Sequence, residues 1–371
     1  MAKTEFGVNH PLAVKVFSKQ LAAEVISKTY VGKFIGTGKG SLVQEHTDLK
    51  KSAGDQITHG LRVQMQGAGI QGDATLEGNE EALDFYDDAI VVNQLRHATR
   101  TKGKMSEQRV PYNLRAESKD ALSDWFAERM DTAFFNQICG NTAVSDTKYT
   151  GNNATIAPST NRIIRAGNQA NDNSITSSDI FTLDLIDIVV ERAKTVSTIN
   201  GTGPKMRPIK MGGKDHFVMF LHPYQVTQLR TNTSTGQWQD ITKAAMMGGQ
   251  VEDNPIYTGM LGMYNGVILH ESDRVTQGVS AADGTAVSTV RRAVLCGAQA
   301  AGIAFGGGTS GVSKYSWQEE MFDYGNQFGV AAGSIFGLKK SKYIPADNSS
   351  TNAEDFGTFV VSTYAAQTNP S

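Results

Sequence analysis

The chain has 371 residues, with 35 Lys or Arg, 37 Asp or Glu and a net charge of −2. This balance argues against a free-standing nucleic-acid-binding module, which would carry a basic surplus to neutralise phosphates. The two cysteines, Cys139 and Cys296, lie in apolar stretches and predict buried free thiols rather than a disulfide framework. No signal segment and no apolar stretch of about 18 residues occurs, so we expect no contact with a membrane.

The first 54 residues predict an arm rather than a domain. A helix is expected over 10–29, where apolar residues recur every three to four positions. The Gly-rich residues 31–41 follow as a connection. Their GTGKGS sequence lacks the spacing of a phosphate-binding Walker loop, so we interpret it as a hinge.

A protruding two-stranded loop is predicted over 55–104. Residues 55–66 alternate between apolar and polar side chains, which is typical of a half-buried strand, and Ala89–Val92 form a second β-type stretch. The connection between them is long and rich in Gly and acids. Because an isolated hairpin is marginally stable in water, we expect it to lie on the body of the chain or on a neighbouring copy.

Opposite charges mark two parts of this region. The acids of the loop include Asp73, Glu77, Glu80, Glu81 and Asp84, and a basic cluster follows at Arg96, Arg100, Lys102 and Lys104. One hypothesis is that the basic cluster is a solvated turn. The other is that it docks the acidic loop of a neighbouring copy, which would make both sets of residues inter-subunit contacts.

The strongest helical pattern spans 114–139. Its apolar residues predict one wide buried face and Gly140 predicts the end of the helix. At ~1.5 Å per residue this helix would be on the order of 40 Å long, enough to act as the spine of an elongated molecule. The expected core positions are Leu122, Trp125, Phe126, Met130, Phe134 and Ile138.

The remaining chain mixes helices and strands. Residues 141–178 are rich in Asn, Thr and Ser and predict a polar surface excursion, followed by a helix over 179–197 capped by Ser178 or Asp179. Strands are expected at 216–221 and 266–271, a helical turn from Pro223, a strand–turn–strand unit over 290–305, and two late strands turning at Asp323–Gly325. The order indicates an α+β fold rather than a regular βαβ alternation.

No catalytic or metal-binding constellation emerges from the sequence. The seven histidines are scattered without metal-ligand spacing, and no G-x-S-x-G motif occurs. We therefore expect neither an enzyme nor a cofactor or metal site.

The order of elements and several short motifs resemble the major capsid proteins of tailed bacteriophages, which have the Hong Kong 97-like fold, and in particular a podovirus-type coat protein family. The resemblance covers about residues 5–345. The motifs that carry it are Gly54-Asp55-x-Ile57, Leu76-Glu77-Gly78-Asn79-Glu80, Gln108-Arg109, Leu114-Arg115, Leu221-His222-Pro223 and Asp323-Tyr324-Gly325.

The resemblance implies a domain organisation. It divides the chain into an N-terminal arm (1–54), an extended loop (55–104), the spine helix of a peripheral domain (105–140), an axial domain (141–308) with a polar insert (141–178), returning peripheral-domain strands (309–345) and a C-terminal tail (346–371).

The resemblance also implies a structural function. The chain would assemble in the host cytoplasm into hexamers and pentamers of an icosahedral shell, and this shell would enclose double-stranded DNA without sequence-specific binding. Expected partners are a separate scaffolding protein, a portal protein at one vertex and a decoration protein, and the short arm predicts no large maturation cleavage. A cellular nanocompartment shell and a phage decoration protein are the alternatives.

Overall fold

The computed structural model describes residues 11–46, 54–62, 65, 68–81, 83, 85–195, 205–211, 213–232, 234, 262–307, 314–343 and 354–367. Its helices are α1 (Pro11–Lys28), α2 (Lys104–Gln108), α3 (Leu114–Ile138), α4 (Leu183–Thr195) and α5 (Pro223–Thr231). Its strands are β1 (Ile35–Gly36), β2 (Val43–His46), β3 (Gln56–Arg62), β4 (Phe85–Val91), β5 (Asn93–Arg100), β6 (Ile163–Arg165), β7 (Ile209–Met211), β8 (Lys214–Leu221), β9 (Met263–Tyr264), β10 (Val267–Glu271), β11 (Gln277–Val279), β12 (Ala286–Cys296), β13 (Ala301–Phe305), β14 (Ser316–Phe322), β15 (Gln327–Lys340), β16 (Lys342–Tyr343), β17 (Glu354–Asp355) and β18 (Thr358–Tyr364).

One sheet collects strands from distant parts of the chain around the long strand β15. Its order is β1-β2-β13-β15-β14, and β5 also pairs with β15. The antiparallel β5–β15 ladder joins Asn93–Arg100 to residues 329–336. The spine helix α3 and the arm helix α1 pack on this sheet through Leu21, Val25, Leu122, Phe126 and Trp317. Burial of this apolar face stabilises both helices against the sheet.

A second sheet forms the core of the middle of the chain. Its order is β6-β18-β12-β8-β10-β9, with β11 on β12 and β7 on β8. Helix α4 covers it with Ile186, Val189 and Val190, which belong to the same buried cluster as Phe217 and Phe359. The central strands have near-continuous apolar sequences because both faces are covered.

The C-terminal residues include a strand of this second sheet, which corrects the prediction of a tail over 346–371. Strand β18 lies between β12 and β6, with Val361 opposite Ala293 and Val360 beside Ile163. Val360 and Val361 are fully buried. The end of the chain therefore completes the core of the middle region, while residues 344–353 and 368–371 lie outside the described part.

Most predicted elements are confirmed, including both helices of the first 140 residues, the strand pair over 290–305 and the late turn at Asp323–Gly325, where the backbone has positive φ. The helix predicted over 179–197 begins at Leu183 instead. Asp179 accepts hydrogen bonds from the backbone and hydroxyl of Thr176 at 2.8 and 2.9 Å, so its carboxylate caps a preceding turn.

Candidate assembly surfaces

The spine helix positions the neighbouring surfaces because both of its ends are fixed. At its start, Asn113 Oδ1 accepts hydrogen bonds from the backbone amides of Arg115 and Ala116 at 3.0 and 3.4 Å. At its end, Gly140 has φ +63, and a side chain there would collide with Pro158 at 2.6 Å.

The structure buries most of the core positions expected on the spine. Leu122, Phe126, Met130, Phe134 and Ile138 are at most 4% exposed. Trp125 is half-buried and stacks on His97 of β5, with ring centroids 4.6 Å apart. The spine therefore packs through Trp125 on strand β5, which directly follows the second strand of the extended loop.

The extended loop is a two-stranded ribbon formed by β3 and β4. Ile57 pairs with Ile90 and His59 pairs with Asp88 in an antiparallel register. Ile57 and Ile90 are buried at the base against Ala304. The ribbon is thus anchored to the first sheet at its Ile57–Ile90 end.

Side chains of the loop tip (residues 68–81) are exposed, including Asp73, Glu77, Glu80 and Glu81. A tight turn forms where the amide of Asn79 donates to the carbonyl of Leu76 at 3.0 Å. Gly78 supplies the positive φ of +87° that this turn requires. Within the described residues Asp73 and Glu77 form no ion pair. Asp84 lies outside the described residues.

In the basic cluster, Arg96 and Arg100 lie on strand β5 rather than in a turn. The guanidinium of Arg100 lies 4.1 Å from the ring centroid of Phe322 and hydrogen-bonds Gln327. Lys102 and Lys104 follow the strand, and all four side chains are exposed. The cluster is therefore a solvent-facing basic edge, and both hypotheses, solvated side chains and docking of a neighbouring copy, stay predictions.

The polar insert (141–178) mixes exposed side chains with buried polar ones, so the sequence prediction of a surface excursion is only partly correct. Asn153 Oδ1 accepts from the amide of Val91 at 3.0 Å, while its Nδ2 donates to the carbonyls of Val91, Gly151 and Leu338 at 2.9–3.2 Å. Gln137 of the spine donates to the carbonyls of Thr150 and Asn153 at 2.7 and 3.0 Å. The insert therefore ties the loop base, the spine and β15 together.

A fully buried ion pair lies beside the insert. Lys340 Nζ lies 2.9 Å from the carboxylate of Asp355, both side chains are 0% exposed, and Nζ also donates to the carbonyl of Ile156 at 3.1 Å. Burial lowers the pKa of Lys340, and the charge of Asp355 opposes that shift. This arrangement satisfies the ammonium group and fixes the end of β15.

The two cysteines and the ligand-type side chains are the candidates for reactive or metal-binding chemistry. Cys139 and Cys296 are free and buried, as predicted, and burial raises the pKa of both thiols. Across the described ranges, no group of three or more His, Cys, Asp or Glu side chains could hold a metal ion. None of the described helices has the length and apolar character needed to cross a bilayer.

Known proteins share this architecture. A family model described as phage capsid protein matches residues 5–367. The chain belongs to the phage capsid protein family.

Individual relatives agree with this membership. The chain is 29% identical to the major capsid protein of Pseudomonas phage KPP25 over 377 residues, covering 95% of this chain and 94% of that protein. It superposes on the capsid chain of Ralstonia phage GP4 with a TM-score of 0.78 and 31% identity, covering 100% of both chains. A capsid chain of cyanophage Pam1 gives a TM-score of 0.70 at 18% identity, covering 99% of this chain and 95% of that one.

Membership decides the main function. The protein is a phage major capsid protein with the Hong Kong 97-like fold, a structural coat protein whose copies form the shell of the virion. The family consists of structural capsid proteins, which confirms the expectation that this chain is not an enzyme. The match also decides for the phage coat protein over the nanocompartment shell and the decoration protein.

Sequence reasoning missed two features of the coat protein that shape its surfaces. Strand β5 has a mostly exposed, polar sequence, so its only signal was the weak alternation of Leu95, His97 and Thr99. Asn153 and Gln137 act through backbone groups that are remote in sequence, and residue type alone does not reveal such partners.

Proposed function

We propose that the coat protein closes into hexamers and pentamers of an icosahedral shell, with the extended loop of each copy lying over a neighbouring copy. The observation that carries this proposal is the segregation of charge. Residues 63–95 contain acids but no Lys or Arg, whereas residues 89–106 contain the basic cluster but no Asp or Glu. Complementary patches on one chain favour repeated head-to-tail contacts between copies, which close into rings.

Apolar side chains on the loop support the same arrangement. Met65, Ile70, Leu76 and Leu83 are 40–61% exposed. A two-stranded ribbon is too thin to bury these groups by itself. Fully burying an aliphatic side chain of this size contributes about 1.5–3 kcal/mol, so a neighbouring surface would stabilise both the loop and the assembly.

Deletion of residues 67–83 tests the role of the loop. The paired ends Arg62 and Phe85 would remain joined by residues 63–66 and 84, a length suited to a hairpin connection. We expect a folded, soluble subunit with unchanged thermal stability, and no closed shells by electron microscopy. The intact chain, purified in parallel, is the control, and closed shells from the deletion variant would refute the loop assignment.

We also propose the partners that a phage shell of this kind requires. A separate scaffolding protein would guide assembly in the host cytoplasm, a portal protein would occupy one vertex, and a decoration protein is a further candidate. The near-neutral charge of −2 supports enclosure of double-stranded DNA without sequence-specific binding.

Two measurements address these partners. Electron microscopy of the coat protein expressed alone and with a candidate scaffolding protein should show closed shells of uniform size only with the scaffold. The intact mass of coat protein from mature particles should equal that of the full chain. Loss of tens of N-terminal residues would contradict the proposal that no large maturation cleavage occurs.

A further inference from the structure

A cavity of about 290 Å³ opens at the start of the spine helix, between α2 and the turn that joins β14 to β15. Its lining includes the apolar side chains of Tyr112, Met321 and Phe328. Tyr112 and Met321 are 56% and 49% exposed, so the apolar surface faces solvent in the isolated subunit. Apolar surface of this kind, grouped around a concavity, marks an interaction site.

The charged groups at this cavity differ in how they are paired. Arg115 is held by Glu319 through two hydrogen bonds of 2.8 Å, and Glu107 accepts a hydrogen bond from Thr101 at 3.3 Å. The ammonium group of Lys104 has no carboxylate partner among the described residues. The lining therefore combines apolar side chains with the ammonium group of Lys104 and the carboxylate of Glu107, next to the rest of the basic cluster.

We propose that this cavity receives the Leu76–Asn79 turn of the extended loop from a second copy of the chain, with Leu76 inside and Glu77 against Lys104. The inference rests on the proposed loop-over-neighbour arrangement and names the place where the loop ends. Leu76 is 61% exposed, the most exposed of the loop's large apolar side chains. Glu77 follows Leu76 directly. The apolar Leu76 would therefore meet the apolar lining of the cavity, and the acidic Glu77 would meet the basic Lys104.

The turn is preformed for such docking. The Asn79-to-Leu76 hydrogen bond closes the turn, and Asn79 Nδ2 donates to the carbonyl of Thr75 at 3.0 Å. Glu80 accepts from the amide of Gly78 at 2.7 Å, and the carboxylate of Glu77 has no ion pair among the described residues. A turn whose backbone polar groups are already satisfied loses less conformational freedom on binding.

Cysteine cross-linking in assembled shells tests the contact. In the full chain, Leu76→Cys combined with Met321→Cys should form an inter-subunit disulfide when a mild oxidant such as copper–phenanthroline accepts the two electrons and the two thiol protons pass to the solvent. Non-reducing electrophoresis should then show a ladder of dimers to closed rings. The native thiols of Cys139 and Cys296 are fully buried and should not contribute.

Matched variants make each outcome decisive. Leu76→Cys alone, and Leu76→Cys with Ile188→Cys on the exposed side of α4, should give no ladder. Shells that form normally without the Leu76–Met321 cross-link would overturn the cavity assignment and leave the proposed shell intact.

A ladder from Tyr324→Cys with Met321→Cys instead would assign the cavity to the fully exposed Tyr324 of another copy. Failure of the unmodified chain to form shells under any assembly condition would count against the proposed function itself.

A charge exchange examines the polar half of the contact. Glu77→Lys and Lys104→Glu should each lower the yield of shells several-fold at low salt, and the double variant should recover most of the loss. Glu77→Lys with Lys102→Glu is the matched control and should recover less. If the double variant Glu77→Lys with Lys104→Glu gives no higher yield of shells than the poorer single variant, the pairing of Glu77 with Lys104 is overturned.

Discussion

Arg292 and Asp172 form a buried ion pair that joins the polar insert to the second sheet across 120 residues of sequence, with Nε 2.9 Å from Oδ2. The other side of the same guanidinium donates to the carbonyl of Gly140 at 2.8 Å, at the end of the spine helix. Arg165 donates to the second carboxylate oxygen of Asp172 at 2.9 Å. One carboxylate thus fixes the insert, the sheet and the spine relative to one another.

The first prediction is that Asp172→Asn lowers the free energy of unfolding by about 3–5 kcal/mol, because it leaves the buried guanidinium of Arg292 and the partly buried one of Arg165 without a counter-charge. Urea denaturation of the isolated subunit measures the difference. Asp146→Asn is the control, since Asp146 forms an exposed pair with Lys148 and its loss should cost less than about 1 kcal/mol. Equal effects of the two substitutions would contradict the role assigned to Asp172.

The same pair predicts a pH dependence. Burial alone would raise the pKa of Asp172, but the charge of Arg292 and the hydrogen bonds from Arg165 and Val279 hold it below its ordinary value of 3.8. A carboxyl group whose pKa is lower in the folded than in the unfolded chain stabilises the folded state at pH values above 3.8. This stabilisation is lost as the pH falls through the pKa of the folded chain. The stability difference between the native chain and Asp172→Asn should therefore narrow below about pH 4.

A second prediction concerns the anchor of the extended loop. Asn153→Ala should lower the free energy of unfolding by about 2–3 kcal/mol, because it removes hydrogen bonds to the partly buried backbone of Val91 and to the buried carbonyl of Leu338. Hydrogen exchange at the amide of Val91 should accelerate more than exchange in the second sheet. Asn161→Ala, which removes an exposed hydrogen bond to Glu354, is the control. Unchanged protection at Val91 would show that Asn153 does not anchor the loop.

These contacts show what the sequence alone could and could not predict. The spine, the ribbon and the late hairpin follow from apolar periodicity and turn residues, which are local signals. Strand β18 has an apolar, β-branched stretch that could have revealed it, but its place between β12 and β6 depends on long-range pairing. Asn153 and Asp172 look like surface residues in a polar stretch, because their burial depends on partners far along the chain.

A third prediction tests the close approach of β15 to the loop base. A Cβ atom at Gly337 would lie 2.0 Å from the carbonyl oxygen of Val91, which is backbone and cannot move aside cheaply. Gly337→Ala should destabilise the subunit by more than about 2 kcal/mol and prevent shell formation. Gly40→Ala, where no atom lies within 4 Å, is the control and should leave both properties unchanged. Shells of normal yield from Gly337→Ala would contradict the rigid contact.

The fourth prediction concerns two histidines whose rings pack together where the arm meets the loop. The rings of His46 on β2 and His59 on β3 have centroids 4.4 Å apart. Tyr343 contacts His59 from β16, and Asp88 lies opposite His59 but is engaged by Lys339 of β15. Burial lowers the pKa of His59 to about 4, and the charges of His46 and Lys339 add to this shift.

The direction of the pH effect follows from that shift. The ordinary His pKa of 6.5 applies to the unfolded chain, so between pH 6.5 and about pH 4 the unfolded chain binds more protons than the folded chain. Stability should therefore fall as the pH drops through this window. Allowing for partial exposure of the ring, His59 accounts for a loss on the order of 2 kcal/mol between pH 7 and pH 4.5.

Comparison with His59→Phe isolates this contribution, because phenylalanine keeps the aromatic contact with Tyr343 but does not bind a proton. The pKa values of His222 and His270 are also lowered to about 4, by burial first, so they contribute the same pH dependence to both proteins and cancel in the difference. Unfolding free energies at pH 7 and pH 4.5 should show a smaller acid-induced loss in the variant, together with smaller acid-induced acceleration of hydrogen exchange in β3 and β4. Parallel pH profiles for the two proteins would mean that protonation of His59 does not control the junction between arm and loop.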